Sequence, residues 1–321
     1  MAKAVILFLV GFVLLIKGGD WFVDGATSIA HRFHLPELLI GATVVSIGTT
    51  LPEVMVSAQA ALQHNSGISY GNAIGSIICN TSLIAAIPIA IKPGNVDRKT
   101  LILPTVAFFI AAILYCGMAY MQGEFFRWQG IMFLILFVVY MVISVMQMKK
   151  GGTPEATEEV VEEEMSLGKA LILLVLGAVA IAIGANLLVE NGTLIAEALG
   201  VPSSVIGLTM VALGTSLPEL VTAITALLKG HSALSLGNVI GANLFNIILV
   251  SGTAITISPF AIPSEKLING MNSSLVVDIP VMMTVMCLLC LPALWKEKLY
   301  RWQGILLLCM YISFTAYQFL F

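Results

Sequence analysis

The 321-residue chain reads as an all-α integral membrane protein of ten transmembrane helices, arranged as two inverted five-helix repeats. Three observations predict this. Hydrophobic residues make up 59% of the chain and charged residues 10%, against about 25% charged in an average soluble domain. Apolar runs of roughly 20 residues recur along the whole length, and each can cross a ~30 Å hydrocarbon core as a helix. Finally, residues 41–84 align without a gap on 207–250, with 18 identities in 44 positions at a constant offset of 166. The net charge of −3, with no Lys/Arg cluster, speaks against a nucleic-acid partner.

Breaks at glycine, proline and charge place the spans in order. The first, near 4–30, resembles a signal peptide with Lys3 as its basic start. A similar segment recurs at 184–200 in mid-chain, so it reads as an integral helix. The second (37–62) opens after Pro36, and the third (69–91) stops at Lys92-Pro93-Gly94. The fourth (101–121) follows Arg98 and Lys99, and the fifth (125–148) ends at Lys149 and Lys150. The sixth (168–196) and seventh (203–228) meet at Gly200 and Pro202, and Lys229-Gly230 separates the seventh from the eighth (233–257). The ninth (274–294) and tenth (301–320) flank the Lys296–Arg301 cluster. All five cysteines lie in apolar runs, and the C-x-x-C at Cys287 and Cys290 reads as apolar filler.

Residues 1–148 form the first five-span repeat and 168–321 the second, joined by an acidic linker at 149–167. The linker holds six of the eighteen acids (Glu155, Glu158, Glu159, Glu162, Glu163, Glu164) but lacks EF-hand spacing, and reads as a solvated hinge. Counting Lys and Arg in the loops puts eleven on the linker's side and three (Lys3, Arg127, Lys266) on the other. The linker is therefore expected in the cytoplasm of a multi-pass cell-membrane protein, with both termini outside. Five is odd, so the second repeat enters the membrane upside down. The signature RWQGI agrees, falling outside at Arg127–Ile131 and inside at Arg301–Ile305. Inverted repeats with interrupted helices are typical of secondary transporters, whose ion sites lie near the midplane.

Each repeat carries one mid-span carboxylate, Glu53 in G-T-T-L-P-E and Glu219 in G-T-S-L-P-E. A carboxylate in lipid costs several kcal/mol unless it is paired or coordinated, so both are functional candidates. Pro52 and Pro218 each remove an amide donor, freeing carbonyls around Thr49 and Thr215 for a desolvated cation. The next span of each half adds a polar stripe at i, i+4, i+8: Asn72, Ser76, Asn80, then Asn238, Ala242, Asn246. This all-oxygen set suits Ca²⁺, which takes roughly 6–8 oxygen ligands, and lacks the Cys or His that zinc or copper prefer. Gly41, Gly48, Gly71 and Gly75 fit close helix packing.

Weaker candidates surround these. Asp20 and Asp24, with Glu190 matching Asp24, either line an ion path or pair with Lys17. Asp278 reads as interfacial, Glu37 as a charge suited to a helix start, and His31, His34, His64 and His231 as solvated surface.

The doubled G-T-[ST]-L-P-E with G-N-x-I-G resembles the alpha-repeats of the cation/Ca²⁺ exchanger superfamily, in particular prokaryotic Na⁺/Ca²⁺ exchangers. The resemblance covers essentially the whole chain. It implies a fold in which the first and sixth helices slide across the other eight. It also implies a calcium site of Glu53 and Glu219 with backbone oxygens of Thr49 and Thr215. Sodium sites would add Ser46, Thr50, Ser76 and Asn80, then Ala212 (by its carbonyl), Ser216 and Asn246. Asn246 stands where relatives often carry the Asp that potassium-dependent exchangers use, which argues against K⁺ co-transport. Ala242 replaces a frequent Ser. Gly75 and Gly241 replace the Glu of the Ca²⁺/H⁺ branch, which argues against protons as the main counter-ion.

The expected activity is thus Na⁺/Ca²⁺ antiport that exports Ca²⁺ by alternating access, with the two ions and the bilayer as partners. No cofactor, obligate protein partner or enzymatic activity is expected. Ca²⁺/H⁺ antiport and a cation channel are the alternatives. An intramembrane hydrolase using paired carboxylates lacks a nucleophile–base pair.

Overall fold

The computed structural model describes residues 2–150, 165–199, 214–263, 267–268 and 270–320. Among them run ten helices. They are α1 (Ala2–Arg32), α2 (Glu37–Leu62), α3 (Ser66–Ile91), α4 (Arg98–Gln122) and α5 (Arg127–Lys150), then α6 (Leu167–Ala198), α7 (Leu217–Leu228), α8 (Ser232–Ile257), α9 (Ser274–Lys296) and α10 (Arg301–Leu320). Four two-residue strands join loops: β1 (Glu124–Phe125) pairs with β2 (Phe260–Ala261), and β3 (Leu267–Ile268) with β4 (Met271–Asn272). Eight of the helices are long and apolar enough to cross a membrane. On α5, Trp128, Ile131, Ile135, Val138 and Val142 are exposed while Phe133 and Tyr140 are buried, an apolar outer face that suits lipid and not water. The fifth span starts at Arg127 and not at 125, because Glu124 and Phe125 are drawn into the β1–β2 pair. The first part of the expected seventh span (203–213), Lys266 and linker residues 151–164 lie outside the described residues.

The chain divides into two compact units, one of Met1–Thr49 with Ile143–Asn238, the other of Thr50–Val142 with Val239–Phe321. Each draws on both sequence halves. In the first unit α1 and α6 run antiparallel with backbones touching. A Cβ added to Gly184 would lie 2.8 Å from the Gly11 carbonyl oxygen, and one added to Gly177 would lie 2.5 Å from the Phe22 nitrogen. Gly11 and Gly177 are repeat mates, as are Gly18 and Gly184, so the two ends of the crossing repeat the same small-residue contact. Leu15, Phe22, Val23, Leu39, Ile40 and Ile181 close the core beside it. The starts of α2 and α8 also meet backbone to backbone: a Cβ on Gly41 would come 2.4 Å from Leu234 O, and one on Gly237 would come 2.1 Å from Leu38 O.

The second unit explains the RWQG signature, whose two copies do the same work on exchanged helices. Arg127 donates to the carbonyl of Ile257, the last residue of α8 (3.3 Å), and Arg301 to that of Ile91, the last of α3 (3.2 Å). A guanidinium at a helix C-terminus satisfies an orphan carbonyl and opposes the dipole. Gln129 and Gln303 each accept from a backbone amide three residues earlier, Phe126 (2.8 Å) and Tyr300 (2.7 Å). Gly130 and Gly304 admit α8 and α3: an added Cβ would lie 2.6 Å from Thr256 N or Ala90 N respectively. An aromatic group of Tyr115, Phe125 and Phe133 fills this end of the unit, with Tyr115 and Phe125 rings 4.6 Å apart.

The preceding loops repeat too. Ile262 N donates to Gly123 O and Val96 N to Glu297 O, both at 2.9 Å. Gly123 takes φ 71° and its mate Glu297 takes φ 50°, so a side-chain-bearing residue occupies a left-handed position that glycine fills without strain. Glu297→Gly is therefore expected to stabilise the fold by about 0.5–1 kcal/mol, read as a small rise in the detergent unfolding midpoint; a fall would refute it. The close-packing expectation holds for Gly41 and Gly48, whose added Cβ would sit 2.9 Å from the Phe22 ring. It fails for Gly71 and Gly75, where nothing among the described residues lies within 4 Å. All five cysteines are free thiols.

Candidate ion-binding site

Within the first unit lie Ser46, Thr49, Thr215, Ser216 and Glu219. A π turn at Gly41–Val45 in α2 leaves the Gly41 carbonyl to the Ser46 hydroxyl, 2.7 Å away, and that hydroxyl also lies 2.9 Å from Asn238 O. The Ser46 hydroxyl is thereby engaged within the fold. Thr49 Oγ1 donates to Asn238 Oδ1 at 3.2 Å, tying α2 to α8 one turn from Glu53. Glu219 is fully buried, in the first turn of α7, where the helix dipole favours its negative charge. Thr222, the next residue round, donates to Pro218 O at 2.7 Å.

The two prolines behave differently, which corrects the expectation of matching breaks. Pro218 lies in the first turn of α7, and the chain turns through Thr215 and Ser216 just before it. Pro52 sits inside a continuous helix from Ser46 to Leu62. The missing amide is tolerated in both, but only α7 presents a free N-terminus.

Thr50, Glu53, Ser76, Asn80 and Asn246 belong to the second unit, and all five are buried. The i, i+4, i+8 stripe on α3 divides in role. Asn72 spends its amide hydrogens on Glu53 O (3.0 Å) and Ser57 Oγ (2.8 Å), which holds the backbone that carries the carboxylate. Asn80 and Asn246 each open a π turn, Asn80–Ile84 and Asn246–Ser251, the local widening often found at functional sites. Their side-chain amides, with Thr50 Oγ1, have no hydrogen-bond partner among the described residues. A buried amide without a partner costs about 1–3 kcal/mol, so the fold carries these polar groups at the expense of stability.

Sequence reasoning missed a brace that lies beside the two π turns. The Asn243 amide donates to Thr81 Oγ1 (2.7 Å) and to the Met286 sulfur (3.2 Å), linking α3, α8 and α9 beside Asn80 and Asn246. The duplication offered no hint, because the mate of Asn243 is Ile77.

Other expectations resolve individually. Asp24 accepts from Lys229 Nζ at 2.7 Å and Asp20 lies 3.5 Å from it, so their partner is Lys229 and not Lys17. Glu190 accepts from Asn186 (2.9 Å), and Asp278 accepts from Gln318 (2.9 Å). His34 and His64 are exposed, as expected. His31 and His231 are not simply solvated: both converge on Glu37, whose carboxylate accepts from His231 Nδ1 at 2.7 Å. That hydrogen bond raises the His231 pKa above its ordinary value. Ala212 lies outside the described residues.

Comparison with known proteins places the chain among its relatives. A family profile described as sodium/calcium exchanger protein matches residues 3–146 and 169–320. An uncharacterised membrane protein of Methanocaldococcus jannaschii is 37% identical over 312 residues, 96% of each chain. The sodium/calcium exchanger MaX1 of Methanosarcina acetivorans is 32% identical, with 98% of each covered. A solved structure of the sodium-calcium exchanger NCX_Mj, soaked with Na⁺ and Sr²⁺, superposes with TM-score 0.82 at 36% identity over 98% of each chain.

Proposed function

This chain belongs to the sodium/calcium exchanger family and is a Na⁺/Ca²⁺ antiporter, and from that premise we propose how it works and which residues carry the ions. Glu53 and Glu219 bind Ca²⁺ and Na⁺ in competition, helped by the backbone oxygens of Thr49 and Thr215. Ser46, Thr50, Ser76, Asn80, Ala212 (by its carbonyl), Ser216 and Asn246 complete the sodium sites. The site opens alternately to each side, and Na⁺ entering the cell drives Ca²⁺ out.

The observation that carries this reading is the pair of repeat-mate carboxylates, both 0% exposed in an apolar chain. Two Glu⁻ neutralise one Ca²⁺. Moving the empty, doubly charged site through a low-dielectric region is costly, which couples one ion's exit to the other's entry. The touching backbones of α1 and α6 suit a pair that moves as one body. We further place the protein in the cell membrane with both termini outside and the 149–167 linker in the cytoplasm, on the Lys/Arg asymmetry of the loops. Ca²⁺/H⁺ exchange and a channel are not favoured by the family assignment.

Proteoliposomes loaded with Na⁺ and diluted into Na⁺-free buffer are expected to accumulate ⁴⁵Ca²⁺. Uptake driven by a pH gradient alone would change the counter-ion, and uptake without any counter-ion gradient would indicate a channel.

A further inference from the structure

We propose that His31, Glu37 and His231 form a binding site for a transition-metal dication of the Zn²⁺ kind, built from none of the residues assigned to transport. The three side chains come from the last turn of α1, the first residue of α2 and the loop between α7 and α8. Glu37 Oε1 lies 2.7 Å from His231 Nδ1 and 3.6 Å from His31 Nε2, and all three ligand atoms fall within 4.8 Å of one another.

Zn²⁺ holds nitrogen and oxygen ligands at about 2.0–2.2 Å in a tetrahedron, which sets neighbouring ligands about 3.3 Å apart. The observed separations straddle that value, so small side-chain rotations close the shell. Two imidazoles and one carboxylate leave a fourth position for water, the ligand set of open zinc sites. Imidazole selects Zn²⁺, Ni²⁺ or Cu²⁺ over the harder Ca²⁺, which keeps this site chemically apart from an all-oxygen one.

The site is pre-formed and reachable. Glu37 and His231 are fixed relative to one another by the Gly41 and Gly237 contacts that press α2 on α8. The neighbouring cation Lys229 is occupied by Asp24 and Asp20 and does not compete for Glu37. The His31 side chain is 71% exposed, giving a metal and its water a way in, whereas Glu37 is 23% and His231 27% exposed.

A metal bound here would tether the end of α1 to α2 and α8. Its binding stands without the antiporter reading. Its consequence, that occupancy slows exchange by restraining α1, rests on that reading.

The test is equilibrium Zn²⁺ binding to the purified full-length protein in detergent at about pH 8, above the free imidazole range. Wild type, His31→Ala, His231→Ala and Glu53→Gln are compared. One Zn²⁺ per chain is expected in wild type and in Glu53→Gln. Each His variant should bind at least about tenfold more weakly, since loss of even an outer-shell partner costs that much. Absence of binding in wild type would overturn the site, as would equal binding in the His variants, or binding lost in Glu53→Gln and kept in the His variants. His31→Ala changes an exposed side chain, so its result does not hinge on folding. In proteoliposomes, added Zn²⁺ should slow Na⁺-driven Ca²⁺ uptake by wild type but not by His31→Ala. Binding without slowing would leave the site and refute the tether. Failure of uptake altogether would count against the antiporter reading and not against the metal site.

Discussion

Glu53→Gln and Glu219→Gln are each expected to lower Na⁺-driven Ca²⁺ uptake by about a hundredfold or more, with little change in folded yield. Glutamine keeps the size of the side chain and one acceptor oxygen but supplies no charge. Each carboxylate is fully buried, so its attraction for a cation acts where water screens little, and half of the compensation for Ca²⁺ disappears with it. Stability should hold or rise, because a buried charge costs several kcal/mol that the neutral amide does not. The two variants should differ in degree. Glu219 lies in the first turn of α7 whereas Glu53 sits within an unbroken helix, so the neutral amide forfeits a favourable helix-dipole contact in Glu219→Gln and not in Glu53→Gln. Uptake and thermal unfolding of the same preparations decide the matter; near-normal uptake in either variant would remove that carboxylate from the site.

Asn246→Leu and Asn80→Leu are expected to show the opposite pairing of effects from an ordinary core substitution. The buried amides of both residues lack hydrogen-bond partners among the described residues. A leucine of similar size removes polar atoms that the fold leaves unsatisfied, which should be neutral or stabilising by about 1–3 kcal/mol. Uptake should meanwhile fall tenfold or more as an oxygen ligand is lost, and its dependence on Na⁺ concentration should shift upward. A destabilised protein with normal exchange would mean that the amides serve packing. Stability gained at the expense of activity is the signature of a residue kept for function.

Much of this architecture was legible because lipid makes simple demands on a chain. A helix in hydrocarbon has to be long and apolar, so composition and run length were enough to place nine of the ten helices near their observed bounds. The 166-residue offset exposed Glu53 and Glu219 as mates, since a carboxylate duplicated in an apolar run stands out from the small residues that serve helix packing. Proline was a weaker guide: Pro52 and Pro218 stand in the same motif, yet one lies within a continuous helix and the other at a helix start.

What stayed hidden depends on contacts between residues far apart in the chain, which leave no periodicity to read. Arg127 and Arg301 look like interfacial charges until each is seen to end a helix of the opposite repeat. Asn243 lies off the polar stripe and its mate is the apolar Ile77, so only its bonds to Thr81 and Met286 disclose the brace. His31, Glu37 and His231 span some two hundred positions, and each alone is an ordinary loop or helix-end residue. Run length and duplication are properties of single segments and could be counted from the residues. The side-chain neighbours that turn such segments into sites arise only in the folded chain: Glu37 meets His231 because the backbones of α2 and α8 close on Gly41 and Gly237, a contact whose partners lie almost two hundred residues apart in the chain.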